Sequence, residues 1–305
     1  MLVYSLKRLA LALVVAVTVS IISFGLLYLS GDPAIAMGGE SATAEDIQAI
    51  RVFYGFDRPL VVQYLDWVAR ALHGDLGKSY YFDASVFDLV FQRLPVTLTL
   101  GLSAILFAIA LAVPLGIAAA VRPNSLIDRL ALLISVMGQA LPSFWFALML
   151  IVLLSVTYPL LPPSGSETWA HFVMPTVVLG YYATPAIMRL TRAGMLEVLT
   201  SDYIRTARAK GLRPPVVLAK HALRNAVIPV VSLAAVQFGF MLGGSIVVES
   251  VFALHGAGFL AWESISRNDL PTVQGLILVF SLIYITLTFL SDLVNAWLDP
   301  RIRIG

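Results

Sequence analysis

The sequence predicts an all-α integral membrane protein with six transmembrane helices and both termini cytoplasmic. Amphipathic helices are expected in a long outer loop between the first two spans. Three observations carry this reading. Mean hydropathy is +0.88. Charged residues make up only 12% of the 305 positions, about half the share that an ordinary soluble surface needs. Six apolar runs lie near 9–29, 96–121, 130–157, 173–190, 227–248 and 273–297. Each matches the ~20 residues a helix needs to cross ~30 Å of hydrocarbon with every backbone amide satisfied internally. Threaded from a cytoplasmic N-terminus, the runs place Lys7, Arg8, Arg122, Arg129, Arg189, Arg192, Arg205, Arg208, Lys210, Arg213, Lys220, Arg224, Arg301 and Arg303 inside, 14 of the 20 Lys and Arg. Most carboxylates fall outside, so the distribution obeys the positive-inside rule.

The elements follow in order. Lys7 and Arg8 precede the first run, and Ala34-Ile35-Ala36 after it imitates a signal-peptide cleavage site. The run is longer than a usual signal core and is read as a retained span. Segment 1–94 comprises this span and the extracytoplasmic stretch. There Ser41 is expected to cap a helix carrying Ile47, Ile50 and Phe53, while Leu60, Tyr64, Trp67, Val68, Ala71 and Leu72 form an apolar stripe that stops before Gly74. A third short helix, Ser85 to Leu94, leads into Pro95. Segment 95–298 holds the other five spans, and 299–305 is a cytoplasmic tail. Small residues at four-residue spacing, Ala108, Ala112 and Gly116 in the second span and Ala235, Gly239 and Gly243 in the fifth, suit close helix packing. Pro114 and Pro142 mark kinks.

The second, third and fifth runs have no ionisable residue in their middles, and Arg189 and Asp292 lie where they can snorkel to the cytoplasmic interface. A proton relay is disfavoured, because such relays place Asp, Glu or His inside the bilayer. Enzyme chemistry finds no foothold. Gly77-Lys78-Ser79 lacks the first glycine of a phosphate-binding loop, since position 72 is leucine. His73, His171, His221 and His255 share no helix face, there is no cysteine, and Ser164 and Ser166 have no acid-base partner nearby. No metal site is expected.

Ser201 to Pro229 is the most basic stretch. Ser201 or Thr200 can cap a helix from Asp202 to Lys210, with Asp202 in its first turn and Arg208 and Lys210 in its last, as the helix dipole favours. Gly211 supplies a left-handed stop, and Pro214-Pro215 forbid a quick restart. Tyr203, Ile204, Ala207 and Gly211 share one face, expected to be an exposed docking knob, and Asp202, Arg205 and Arg208 the other. Topology-setting charge and binding to anionic lipid account for the arginines equally well, though not for the sharp stop. Gln139, Pro142, Ser143 and Gln237 are candidates to line a solute path, with interhelical bonding as the alternative.

The segment Asp202-Tyr203-Ile204-Arg205-Thr206-Ala207-Arg208-Ala209-Lys210-Gly211-Leu212 resembles the EAA loop of ABC-importer permeases, in the variant of the dipeptide, oligopeptide, nickel and glutathione branch. Arg205 stands where the general pattern has an acidic residue. Gly31-Asp32-Pro33, Gly74 to Ser79, Arg93-Leu94-Pro95, Glu249-Ser250-Val251-Phe252, Asp269 to Gly275 and Leu298 to Arg303 also match that branch, so the similarity covers nearly the whole chain. His255-Gly256-Ala257-Gly258 stands where Pro-Gly-x-Gly is usual. The resemblance implies a permease subunit in a bacterial inner membrane. It would pair with a second, homologous permease to form a pathway for a small peptide or peptide-like solute. An extracytoplasmic solute-binding protein would deliver the solute, and two nucleotide-binding ATPase subunits would hold the ATP and Mg. This chain itself would carry no cofactor and bind no nucleic acid. The helix near 201–212 would couple to one ATPase. An ion-coupled carrier or a stand-alone channel is the alternative.

Overall fold

The apolar runs become helices, because a chain with so little charge can satisfy its backbone in lipid only within each segment. The computed structural model describes residues 2–29, 31–39 and 42–298, so the expected cap Ser41 and the tail 299–305 with Arg301 and Arg303 lie outside the described residues. The helices are α1 (Leu2–Leu29), α2 (Pro33–Gly38), α3 (Ala44–Tyr54), α4 (Leu60–Leu72), α5 (Val86–Val121), α6 (Leu126–Ala140), α7 (Ser143–Ile151), α8 (Ala170–Leu199), α9 (Asp202–Ala209), α10 (Pro214–Val216), α11 (Arg224–Ala226), α12 (Ile228–Val251), α13 (Ala257–Ser266) and α14 (Leu270–Leu298). Two π-helical stretches, Val152–Thr157 and Val217–Leu223, extend α7 and join α10 to α11. Among the described residues four helices are long and apolar enough to cross a membrane: α1, α5, α12 and α14. The bent pair formed by α6 and by α7 with its π-helical extension makes a fifth candidate.

The main core lies where α5 packs along α8. Ala108 and Ala112 are fully buried there, and a Cβ on Gly116 would meet the Met188 carbonyl oxygen at 2.9 Å. The four-residue spacing thus does bring two backbones together. α12, α6 and α7 complete this core, while α14 lies between α12 and α1. The two ends of the molecule are distinct. At one end Arg8 of α1 pairs with Asp292 of α14 at 3.1 Å, and Asp128 of α6 with Arg192 of α8. At the other, Thr97 near the start of α5 bonds Glu249 near the end of α12, and Ser79 bonds Asp269.

Several expected boundaries move. The third run is a corner rather than a kinked rod: α6 and α7 meet at 98° across Leu141 and Pro142. The short helix expected from Ser85 to Leu94 is the first part of α5, which continues through Pro95 and Pro114. Thr43 caps α3 in a reciprocal capping box with Asp46. In α4 the inward face carries Gln63 and Trp67, while Leu60 and Leu72 of the expected stripe are exposed. Gln63 is accepted inside because its amide donates to the Phe56 and Arg58 carbonyls and its Oε1 accepts from the Tyr28 hydroxyl.

Candidate functional site: the basic segment 201–226

α9 starts without a side-chain cap. The Ser201 hydroxyl turns back to donate to the Val198 carbonyl at 2.6 Å, and Thr200 does the same to Glu197 at 2.8 Å. Both finish α8 instead. The helix ends as its sequence suggests: Gly211 has φ +76°, and its amide donates to the Arg208 carbonyl at 2.9 Å. Pro214 and Pro215 do not delay the next helix. They open α10 at its first turn, where a missing N–H costs nothing.

The expected docking knob is corrected in one respect. Ile204 is fully buried and Ala207 is 6% exposed, and both pack on Ala120, Met195, Val217, Ala222 and Ala226 of this same chain. Ala207 is therefore small so that α9 can lie close to its own scaffold. The free face carries Asp202, Tyr203, Arg205, Thr206, Arg208, Ala209 and Lys210, followed by exposed Gly211 and Leu212. Asp202 and Arg205 are 3.2 Å apart and solvent-exposed, a pair of little energetic weight that leaves both groups available. Asn225 donates to the Tyr203 hydroxyl at 2.9 Å, fixing the ring against the segment that leads into α12.

This small core ties α9 to the end of α5, the end of α8 and the approach to α12. A second tie lies nearby. Arg192 makes a two-pronged contact with Asp128, Nε to Oδ1 at 2.8 Å and NH2 to Oδ2 at 2.7 Å, joining α8 to the first turn of α6. Asp128 is buried at 2% exposure and also accepts from the Asn124 amide. Two parallel charge-assisted bonds define orientation as well as distance. α9 is thus set on a platform drawn from several long helices.

The proposed path residues are more dispersed. Gln139 and Pro142 are exposed and Ser143 is half-buried, at the corner between α6 and α7. Gln237 is half-buried within α12, and no hydrogen bond joins it to Gln139 or Ser143 among the described residues. Of the proposed packing residues, Ala235 is half-buried, and Gly239 is tightly faced, since a Cβ there would fall 2.0 Å from the Tyr284 ring of α14. Gly243 faces open space within this chain.

Two carboxylates of the branch-matching segments, Glu249 and Asp269, lie at the opposite end, and their burial was not read from the sequence. Glu249 accepts from the Thr97 hydroxyl and from the Phe259 amide, both at 2.8 Å. Thr97 in turn accepts from the Ala257 amide at 2.8 Å. This explains the turn His255-Gly256-Ala257-Gly258: a Cβ on Gly256 would lie 2.5 Å from Glu249 Oε2, and one on Gly258 would crowd Ser245 Oγ at 2.7 Å. Asp269 accepts from Ser79 and Thr272 hydroxyls at 2.6 Å and from the Tyr80 amide at 3.0 Å. Ser79, the end of the phosphate-loop-like string, is committed to that carboxylate. Among the described residues no three His, Asp or Glu side chains gather as metal ligands.

Residues 112–304 match the family described as binding-protein-dependent transport system inner membrane component. Residues 1–101 match the N-terminal counterpart of that family. The chain belongs to this family. The glutathione transport system permease protein GsiC of Escherichia coli (strain K12) is 40% identical over 304 residues, with 99% of both chains covered. A Brucella abortus (strain 2308) chain named, provisionally, as a peptide transport system permease is 37% identical over 307 residues, with 98% of both covered. Among solved structures, a chain of the MetNI methionine ABC transporter, in an inward-facing conformation, shares the fold with a TM-score of 0.57 at 22% identity, over 69% of this chain and 96% of that one. This permease is accordingly an importer permease of the ABC type, a transport subunit rather than an enzyme.

Proposed function

We propose that this permease carries a small peptide or peptide-like solute across a bacterial inner membrane, driven by ATP and Mg held on two partner ATPase subunits. Six spans, α1, α5, the cornered α6–α7 pair, α8, α12 and α14, would cross with both termini in the cytoplasm. A second, homologous permease would complete the pathway and a solute-binding protein would load it from outside. The glutathione and peptide systems named for the relatives support the solute class. α9 is the coupling helix in this reading, and its exposed basic face on a platform of long helices is the observation that carries it. Movement of an ATPase groove against Tyr203, Arg205, Thr206 and Arg208 would pass through Ile204 and Ala207 into α8 and α12, a rigid-body form of coupling.

Because the chain has no cysteine, single cysteines report contacts directly. Cysteine at Thr206 or Arg208 is expected to crosslink to a cysteine in the groove of the cognate ATPase, whereas cysteine at buried Ala207 is not. Failure of both exposed positions at every groove site, in a complex that still transports, rejects α9 as the coupling helix.

A further inference from the structure

α4 is built the wrong way round for a helix bathed in water. The side turned to the rest of the chain carries buried Gln63 and Trp67 and half-buried Tyr64. The opposite side carries Val61, Leu65, Val68 and Leu72, which share one face because steps of three and four residues do. Val61 is 69% exposed, Leu65 58% and Leu72 81%. A helix with water on its free side carries polar residues there. Those of α4 sit on a third side: Asp66, paired with Arg58 at 2.7 Å, and Arg70, one turn on.

The level of α4 along α1 decides what meets the apolar face. The apolar span of α1 runs Tyr4–Leu26. The Tyr64 hydroxyl lies 2.7 Å from Ser20 Oγ, a level about 9 Å inside the end of that span at 1.5 Å per residue. Phe24, also within the span, meets the Tyr64 ring at 5.5 Å and the Trp67 ring at 6.0 Å, centre to centre. Tyr28, just beyond the span, donates to Gln63. α4 is thus seated at the rim of the hydrocarbon, the level that Tyr and Trp favour. The face of α1 that holds Ser20 and Phe24 continues toward the N-terminus through Val17 and Leu13, and both are exposed. No other element of this chain covers that strip, so lipid reaches α1 directly beneath α4.

We infer that α4 is a membrane-surface helix. Val61, Leu65, Val68 and Leu72 sink among the acyl chains of the leaflet at this end of α1, while Asp66 and Arg70 face water, the division typical of a helix lying in the interface. Which leaflet this is follows from the proposed topology, on which the contact itself does not depend. A face meant for a soluble protein would stand clear of the span, whereas α4 reaches down to Ser20.

The chain has no cysteine, so single nitroxide labels can be attached at Leu65, Leu72 and Asp66, all exposed positions whose substitution spares the fold. The protein is purified through a tag on this chain, with the partners that follow it, and reconstituted in phosphatidylcholine nanodiscs. Collisions of each label with oxygen, which concentrates among acyl chains, are compared with collisions with a nickel chelate confined to water. The oxygen-to-chelate ratio is expected to be several-fold higher at Leu65 and at Leu72 than at Asp66. A ratio at either leucine no higher than at Asp66, with free access for the chelate, places the stripe in water and overturns the inference. Low collision rates with both reagents mean that protein covers the stripe, which overturns the lipid contact in favour of a docked partner.

Discussion

Ala207 shows how much a single methyl decides at the residue scale. It is buried in a cluster with Ala120, Met195, Ile204, Val217, Ala222 and Ala226, with further leucines packed around them, so a larger side chain has to displace its neighbours. Ala207→Leu is expected to cost about 1–3 kcal/mol through overpacking and to push α9 off its platform. The permease should still reach the membrane, yet solute uptake by the assembled transporter should fall sharply. Uptake at the parent level would show that the seating of α9 is irrelevant. Neither the burial of Ala207 nor that of Glu249 could be read beforehand, for related reasons. An apolar helix face looks the same whether it packs on its own chain or on a partner. A carboxylate at the end of a span looks solvated until its partner, Thr97, is found 152 residues away. Gly211 was legible because its constraint is local: φ +76° is a conformation that favours glycine whatever the surroundings.

At the scale of elements, apolar runs mapped well onto helices, since crossing length and backbone satisfaction depend only on nearby residues. The corner between α6 and α7 did not. A proline in lipid permits a mild kink or a full break, and packing of α7 against α8 and α12 selects the 98° turn. Partner choice between elements was also invisible, as with Asp128 and Arg192, which are 64 positions apart. Replacing Asp128 with Asn keeps an acceptor for the Asn124 amide but breaks the charged fork. Arg192 is one-quarter exposed, so the cost is expected to be about 2 kcal/mol, below the ~3–5 of a fully buried pair. Thermal unfolding in detergent should register the loss, and Arg192→Ala added to Asp128→Asn should cost little more. Strictly additive losses would mean the two side chains are not coupled.

For the whole molecule, the basic segment and the buried carboxylates Glu249 and Asp269 occupy opposite ends, so the part proposed to receive force is far from the part where a solute would arrive. No buried carboxylate lies midway along α5, α7 or α12 to carry a proton across. Reconstituted alone in liposomes, the permease is expected to show no solute accumulation under an imposed proton or sodium gradient, and uptake should require the ATPase and binding-protein partners with ATP. Concentrative uptake by the single chain would reverse this assignment.

α8 has 30 residues, about 45 Å at 1.5 Å per residue, some 15 Å more than the hydrocarbon it would have to cross. A rod of that length that tips by about 5° about one end sweeps its far tip through about 4 Å. The surplus turns makes α8 a mechanical amplifier: a tilt too small to disturb the packing along α5 becomes, at the far tip, a displacement of atomic dimensions or more.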